Sequence, residues 1–388
     1  MYLMQVRNAD DALLSKDFLR AQDELDACPV NERGMEWHIQ NERIKATIPL
    51  QLAGAERPWF SRDGDRLISI GKMGTTEQRL ARIWDLSTGQ VVADMEHDSN
   101  LAILAVSDDE QFVAGGGIDG SLVVWSTQTR RKLWPARKIH QQRFDGLAFS
   151  PDGKWIATAN WDRTVKVIST SNGEERFTLP PFEHRLRKIA FSPDGRWIAV
   201  GGFWADDGTA WIIDVEKQKV STRFPGEDQQ IPTFAPRGLQ LATATRAGRI
   251  VVWDWDGKEL TEAASWEADE SESDELYSLE YSSDGTRLVS GGYSVRLWDV
   301  ATRTELASLK VGGRVFWLSV NPKGDRIGFF TTGGIRLWNY GQQVEADVVH
   351  KMEGAVVATR FSASGRQIAA MAGESWASSL DESRDQQG

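Results

Sequence analysis

A four-residue turn pattern recurs eight times along this chain, and successive copies lie 39 to 47 residues apart. A hydroxyl or other small side chain opens the pattern, and Gly closes nearly every copy. The copies begin at Ser61, Ser107, Ser150, Ser192, Ala235, Ser282, Asn321 and Ser362. A fixed period of this size is the signature of a repeat architecture. Repeat proteins usually act through extended surfaces, so the pattern directs the search for function to surfaces.

Each turn lies between two short apolar runs, such as residues 147–149 and 155–159 around the third copy. Pro and Asp suit the early positions of a tight turn and Gly suits its end, so the pattern predicts a two-stranded hairpin. A third, alternating strand follows, for example at 295–299, and a weaker fourth strand at 305–309. Four antiparallel strands per repeat, arranged around a circle, form a β-propeller.

A Trp-Asp pair ends the third strand at Trp84-Asp85, Trp253-Asp254 and Trp298-Asp299. Degenerate versions occur at 125–126, 168–169, 213–214 and 338–339. Over about residues 35–372 the chain therefore resembles the WD-repeat family. The resemblance implies an all-β WD-repeat β-propeller whose function is protein interaction.

The number of blades depends on the last turn. Seven copies carry a full set of strands, whereas the eighth, at Ser362, has only the two strands that flank it. Two strand-like runs, 35–39 and 44–48, precede the first copy, and pairing them with the last copy leaves no open sheet edge. The pattern favours eight blades, the last one composite. The alternative is seven blades with the eighth hairpin outside the ring.

The sequence divides into an N-terminal helix and connector at 1–34, a propeller at 35–372 and a polar tail at 373–388, which we expect to be disordered. Leu14, Phe18, Ala21 and Leu25 form one apolar stripe, which predicts a short helix. We expect this helix to pack on the propeller rim.

Residues 21–38 offer a second interpretation of the N-terminal segment. They resemble the segment that leads into the propeller of large bacterial WD-repeat proteins, many of which carry a Ser/Thr protein kinase domain. No kinase signature is present in this sequence. The resemblance therefore implies, as one hypothesis, a regulatory fragment in signalling whose kinase partner is separately encoded.

The composition indicates which classes of partner and which cellular compartment suit this chain. The formal net charge is −11, which argues against nucleic-acid binding because phosphate would be repelled. A single cysteine, Cys28, fits a reducing compartment. Neither a membrane-spanning apolar run nor a signal peptide is recognisable, so we expect a cytoplasmic location.

The histidines predict structure rather than catalysis. In the WD-repeat family a His in the loop entering a blade bonds an Asp that precedes the third strand. The matching residues here, with one hydroxyl, are His97, Asp119, His140, Thr158, Asp162, His184 and Asp207. They are spread over several repeats, which argues against a metal site. With no recognisable catalytic signature, we predict no enzymatic activity and no cofactor.

Partner-binding candidates come from the loops that, in WD-repeat propellers, share one face. Aromatic and Arg residues are the usual anchors of protein interfaces. The candidates are Phe144, Trp161, Arg163, Phe203, Trp204 and Tyr293. The predicted function is a non-catalytic scaffold that presents this face to a protein or peptide. The alternative is an enzyme or small-molecule sensor using the central channel, which ionisable residues converging on the axis would favour.

Charge is also uneven along the chain. Basic residues cluster between 130 and 188, and residues 267–275 are acidic. Such runs form solvated faces, or together they steer a partner of complementary charge.

Overall fold

In the computed structural model, the described residues form seven four-stranded antiparallel sheets and one two-stranded hairpin. The structure describes residues 2–14, 17–30, 33–47, 50–53, 55–72, 79–202, 209–225, 229–245, 247–268, 275–311, 313–331, 334–340, 355–361 and 368–373. The chain forms two units, 1–343 and 344–388. The second contains β29 (Ala355–Phe361) and β30 (Ile368–Gly373), which pair with each other.

Three helices precede the sheets: α1 (Tyr2–Leu14), α2 (Phe18–Asp26) and α3 (Met35–Thr47). Among the predicted stripe residues, Ala21 and Leu25 are buried, but Leu14 is 74% exposed. The reason is that the predicted helix is two helices: α1 ends at Leu14, and a new helix, α2, begins after Asp17. The Asp17 carboxylate caps α2 by accepting a hydrogen bond from Arg20 N at 3.1 Å. The short N-terminal helix is thus a cluster of three.

The strands predicted at 35–39 and 44–48 were wrong, since residues 35–39 and 44–47 lie in α3; residue 48 is outside the described residues. Trp37 and Ile44 are buried against α1 and α2 rather than in a sheet, and the Trp37 indole donates to Leu25 O at 2.7 Å. Each apolar run is short enough to suit either a helix or a strand, and its packing against α1 and α2 determines that it is helical. α2 contacts β25 (Glu305–Lys310), an outermost strand, in agreement with packing on the rim.

Blades 1 to 3 follow in chain order, each pairing its four strands from the innermost to the outermost. Blade 1 has β2 (Ala55–Phe60), β3 (Arg66–Lys72), β4 (Arg79–Asp85) and β5 (Gln90–Met95). Blade 2 has β6 (Leu101–Val106), β7 (Phe112–Gly117), β8 (Ser121–Ser126) and β9 (Arg137–Lys138). Blade 3 has β10 (Phe144–Phe149), β11 (Trp155–Asn160), β12 (Val165–Ser169) and β13 (Glu175–Thr178).

Blades 4 to 6 repeat this order. Blade 4 has β14 (Leu186–Phe191), β15 (Trp197–Gly202), β16 (Ala210–Asp214) and β17 (Lys219–Arg223). Blade 5 has β18 (Gln229–Phe234), β19 (Gln240–Thr245), β20 (Arg249–Trp255) and β21 (Leu260–Glu267). Blade 6 has β22 (Ser278–Tyr281), β23 (Arg287–Gly291), β24 (Ser294–Asp299) and β25.

Blade 7 closes the ring and corrects the predicted blade count. It contains β26 (Leu318–Val320), β27 (Arg326–Thr331) and β28 (Gly334–Asn339), and its outer strand is the N-terminal β1 (Leu50–Ala53). Phe60 of blade 1 donates its backbone N–H to Ser319 Oγ of blade 7 at 3.4 Å. The eight-bladed prediction was therefore wrong: the composite blade exists, but it is the seventh.

The recurrent turn joins the first two strands of each blade, as predicted. Ser150 Oγ donates to Asp152 Oδ1 at 2.7 Å and accepts from Trp155 N at 3.0 Å, so the two side chains tie the hairpin together. Ser107–Asp109 and Ser282–Asp284 form the same contact at 2.6 Å. The Ser and Asp side chains form hydrogen bonds with polar groups of the turn that would otherwise bond to water. These bonds fix the turns at one end of the ring.

The core lies mainly between adjacent blades. One cluster, for example, joins Val165 and Val167 of blade 3 with Ile189 and Phe191 of blade 4. Because each sheet packs on two neighbours, its loops hold a fixed position relative to those of the next blade.

Candidate functional site: one propeller face and the channel mouth

The predicted histidine network forms in blade 3. His140 Nδ1 lies 2.9 Å from Asp162 Oδ2, and His140 Nε2 lies 2.8 Å from Thr158 Oγ1. Thr164 Oγ1 donates to Asp162 Oδ1 at 2.6 Å. Burial alone would raise the pKa of Asp162, but the hydrogen bonds from His140 and Thr164 outweigh it and hold this pKa well below its ordinary value. The network fixes the loop that enters the blade.

Blade 2 uses a modified network. In place of a direct bond from His97, Asp119 Oδ1 accepts from Ser99 Oγ at 2.7 Å and from Ser121 Oγ, which lies 3.5 Å from His97 Nε2. Although burial opposes it, these bonds lower the pKa of Asp119 to about 2. His97 Nδ1 faces the backbone of Ser99, with Ser99 N at 2.8 Å. Ser99 therefore occupies the place predicted for the histidine, a substitution that the position of His97 in the sequence did not reveal.

In three of the described blades, the Trp of the third strand donates a hydrogen bond to a hydroxyl of the second strand. Trp84 donates to Ser69 at 2.8 Å, and Trp253 donates to Thr243 at 2.8 Å. Blade 6 repeats this contact. In blade 2 the hydroxyl position is Gly115, where an added Cβ would meet the Trp125 ring at 2.7 Å. The degenerate repeats thus preserve overlapping parts of one network.

Several predicted site residues lie outside the described residues: Phe203, Trp204 and Asp207. The histidine paired with Asp207 in that prediction, His184, is partly buried.

Phe144 was predicted as a partner contact, but its side chain is fully buried. It packs edge-on against His140, with ring centroids 5.0 Å apart, and so supports the blade 3 network. Its position at the end of a loop could not reveal that β10 begins with it. By contrast, Arg163 is exposed, and Tyr293 is 40% exposed.

Trp161 lies partly buried at the same face, above the start of β10. Its indole N–H donates to Asp145 Oδ2 at 2.6 Å. The guanidinium carbons of Arg143 and Arg185 lie 5.4 Å and 5.0 Å from the Trp161 ring centroid. A large aromatic surface flanked by two arginines is the composition typical of a binding hot spot.

Recurring β-bulges turn a residue of the innermost strand toward the central channel. The register shifts at Asp145 in β10 and at Arg187 in β14, and at the equivalent points of β2 and β18. The bulges bring Arg57, Asp145, Arg187 and Ile231 to line one cavity of about 310 Å³. Bulges commonly re-aim side chains in this way.

The channel mouth carries concentrated charge. Arg57, which is 7% exposed, lies 3.6 Å from Asp145 Oδ1, and Arg143 donates to the same oxygen at 3.1 Å. The Arg57 guanidinium stacks on Trp317 at 3.9 Å. Burial lowers the pKa of Arg57 to about 9, against the opposing effect of Asp145. The sequence did not lead to a prediction for Arg57, Asp145 or Trp317, and Arg143 was predicted only as part of the basic cluster. A signal was present, since polar residues stand early in inner strands that are otherwise apolar.

Deeper in the cavity lie Lys188 and Glu280. Burial raises the pKa of Glu280 to about 7, although Lys188 and a hydrogen bond from Val320 N act in the opposite direction. The predicted basic cluster is thus divided. Arg143, Arg185, Arg187 and Lys188 belong to the channel region, whereas residues 130–132 lie at the outer β8–β9 turn.

Within the described part of the chain, no group of three or more His, Cys, Asp or Glu residues is arranged to hold a metal ion. A search of the described helices finds none that combines the length and apolar character needed to cross a bilayer.

The family model described as "WD domain, G-beta repeat" matches residues 89–126, 138–169 and 173–214. These three segments match the model of a WD repeat, and they lie in a seven-bladed β-propeller. They run from β5, the outer strand of blade 1, to β16, the third strand of blade 4, and include His140, Asp145 and Trp161. The WD-repeat resemblance predicted from the Trp-Asp pairs is confirmed at this level.

Solved structures support the same architecture. The β-propeller domain of Cps50 (Swd1) from Myceliophteria thermophila superimposes with a TM-score of 0.64 at 16% identity, over 75% of this chain and 97% of that domain. At this identity the likeness concerns the fold alone.

Curated relatives include Protein HIR1 of two fungi. The match in Mycosarcoma maydis is 35% identical over 128 residues, 28% of this chain and 12% of the relative. The match in Eremothecium gossypii is 29% identical over 237 residues, 52% of this chain and 28% of the relative. The chain therefore spans well under half the length of these relatives.

These matches agree with the prediction of a non-enzymatic protein. They lend no support to the bacterial, signalling and kinase-linked parts of the predicted resemblance.

Proposed function

We propose that this protein is a non-catalytic interaction scaffold that presents the face around Trp161, Tyr293 and the channel mouth to a protein partner. The observation that carries the proposal is the aromatic and arginine cluster formed by Trp161, Arg143 and Arg185, since such residues dominate the energetics of protein interfaces.

Rigidity supports this function. Loops at the face are fixed by the His140 network in blade 3 and by the Asp119 network in blade 2. A preorganised surface loses little conformational entropy on binding, which leaves more of the contact energy for affinity.

The test is affinity purification of the tagged chain from its native extract. A double variant, Trp161→Ala with Tyr293→Ala, is compared with a control, Val220→Ala with Leu306→Ala, whose residues are 39% and 45% exposed on outer strands. Proteins retained by wild type and control but lost from the face variant support the proposal. Equal recovery from the face variant contradicts it.

A central-channel ligand is a second candidate function, and one specific observation favours it. Ionisable residues do converge on the axis, at Arg57, Asp145, Arg187, Lys188 and Glu280. This convergence was the feature expected of a small-molecule sensor.

A further inference from the structure

Positive charge at the channel mouth exceeds the negative charge that faces it. Asp145 is the carboxylate in contact with the arginines: one oxygen serves Arg57 and Arg143, and the other accepts from Trp161. The hydrogen-bonding positions of Asp145 are therefore largely used, while Arg187 acts on it only through longer-range attraction.

Arg187 is left incompletely satisfied. Its Nη1 atom is buried and has no hydrogen-bond partner among the described residues. A buried donor without a partner costs free energy, and a charged one costs more. Such a group persists where something else, an incoming ligand for example, completes its bonding.

The walls around Arg187 select the shape of that ligand. Phe316 lies against the guanidinium, with 5.7 Å from Arg187 Cζ to the ring centroid, and Trp317 stacks on neighbouring Arg57. Stacking occupies the faces of a guanidinium and leaves its N–H edge for a planar, two-oxygen acceptor.

Charge in the cavity favours a singly charged acceptor. Lys188 follows Arg187 on β14 and adds a second cation, whereas Asp145 and Glu280 line the same cavity and would repel a doubly charged phosphate more strongly than a carboxylate. The cavity of about 310 Å³ accommodates a short acidic side chain or a small organic acid.

We propose that the channel mouth is a carboxylate-binding site anchored by Arg187. The carboxylate comes either from an acidic residue of a protein partner or from a free organic acid. The site goes beyond the scaffold function and does not require it, because a free acid alone tests it.

The experiment is isothermal titration calorimetry of the full chain with propionate, with the capped peptide acetyl-Ala-Glu-Ala-amide, each of which carries a single carboxylate, and with inorganic phosphate. Wild type is compared with Arg187→Gln and with Arg187→Lys, which keeps the charge but loses the fork. Arg131→Gln, at an exposed outer turn, is the charge-matched control. Thermal unfolding establishes that each variant is folded.

We expect one site per chain for at least one carboxylate probe. Affinity falls roughly tenfold or more in Arg187→Gln, in proportion to the loss of a charge-assisted bond. It falls less in Arg187→Lys and is unchanged in Arg131→Gln. Binding of the peptide alone identifies a partner's side chain as the source, and binding of propionate alone identifies a free acid.

The proposal is overturned if neither carboxylate binds wild type, if phosphate binds and carboxylates do not, or if Arg187→Lys binds as wild type does. Should Arg187→Gln fail to fold, Arg187→Lys decides the outcome. Loss of carboxylate binding without loss of partner capture leaves the scaffold function intact, so the two proposals fail separately.

Discussion

The indole N–H of Trp161 donates to Asp145 Oδ2 at 2.6 Å, and this bond connects the proposed partner-binding face of the propeller to the lining of its channel. Trp161 belongs to the loop before the third strand of blade 3, and Asp145 is the bulged residue of the innermost strand. The same carboxylate also lies against Arg57 and Arg143. A single side chain therefore organises both candidate surfaces.

Asp145→Asn tests the importance of this connection for stability. Asp145 and Arg57 are 9% and 7% exposed, and removing one partner of a buried ion pair leaves an uncompensated charge. We expect a loss of about 3 kcal/mol in the free energy of unfolding, measured with urea. Asp94→Asn removes the partner of Arg82 at a more exposed site, and there the loss should stay below about 1 kcal/mol. Equal losses at the two sites would show that Asp145 is not a structural hub.

Gly120→Ala probes the loop that places the blade 2 network. Gly120 has φ +86°, and a Cβ there would lie 2.3 Å from the backbone oxygen of His140. We expect destabilisation above about 3 kcal/mol, because backbone strain adds to a clash that no side-chain movement relieves. Gly238→Ala has a similar φ of +72° and open space around it, so it should cost only about 1 kcal/mol. Thermal unfolding of both variants measures the difference in their loss of stability, and we expect Gly120→Ala to lose clearly more than Gly238→Ala.

Thr158→Val removes a hydroxyl from the blade 3 network without a large change in shape. His140 Nε2 loses its partner at 2.8 Å in a buried site. We expect a loss of about 1–2 kcal/mol in the free energy of unfolding. Thr178→Val, at an exposed position of β13, is the control and should cost less than about 0.5 kcal/mol. A neutral Thr158→Val would mean that the network does not stabilise blade 3.

Glu280 predicts a distinctive pH dependence. Burial raises its pKa in the folded state from 4.5 to about 7, so between these values the folded chain binds more protons than the unfolded chain. Its contribution to stability is therefore fully present below about pH 4.5 and is lost as pH rises to about 7, by up to about 3 kcal/mol. Glu280→Gln should be relatively more stable than wild type at pH 8 than at pH 5, as measured by urea unfolding. The same difference at both pH values would exclude this titration.

Local sequence chemistry predicted the parts of the fold that depend on short-range contacts. Ser150 and Asp152 form the contact that defines their turn within three residues of sequence. The Trp of a Trp-Asp pair, such as Trp84, identifies a third strand, and in the structure it bonds a second-strand hydroxyl such as Ser69. Pairing between distant segments was not accessible in this way. Whether β28 takes β1 as its outer strand depends on residues 35–47 forming a helix, which their packing against α1 and α2 decides.

The candidate site divides along the same line. Trp161 and Tyr293 were predicted because exposed loop aromatics are visible in a sequence. Arg57 was missed and Arg187 was predicted only as part of a basic cluster, because a β-bulge, not the alternation of the strand, turns each toward the channel. Phe144 was misassigned because its burial against His140 depends on the same tertiary arrangement.

Site-specific photo-crosslinking shows whether a partner binds the face at the channel mouth. p-Benzoylphenylalanine replaces Tyr293 on the proposed face or Val220 on an outer strand, and each chain is irradiated in native extract. We expect a discrete crosslinked partner from position 293 and none from position 220, and we expect Trp161→Ala to reduce the crosslink. Crosslinking from position 220 alone, or equally from both positions, would contradict this expectation.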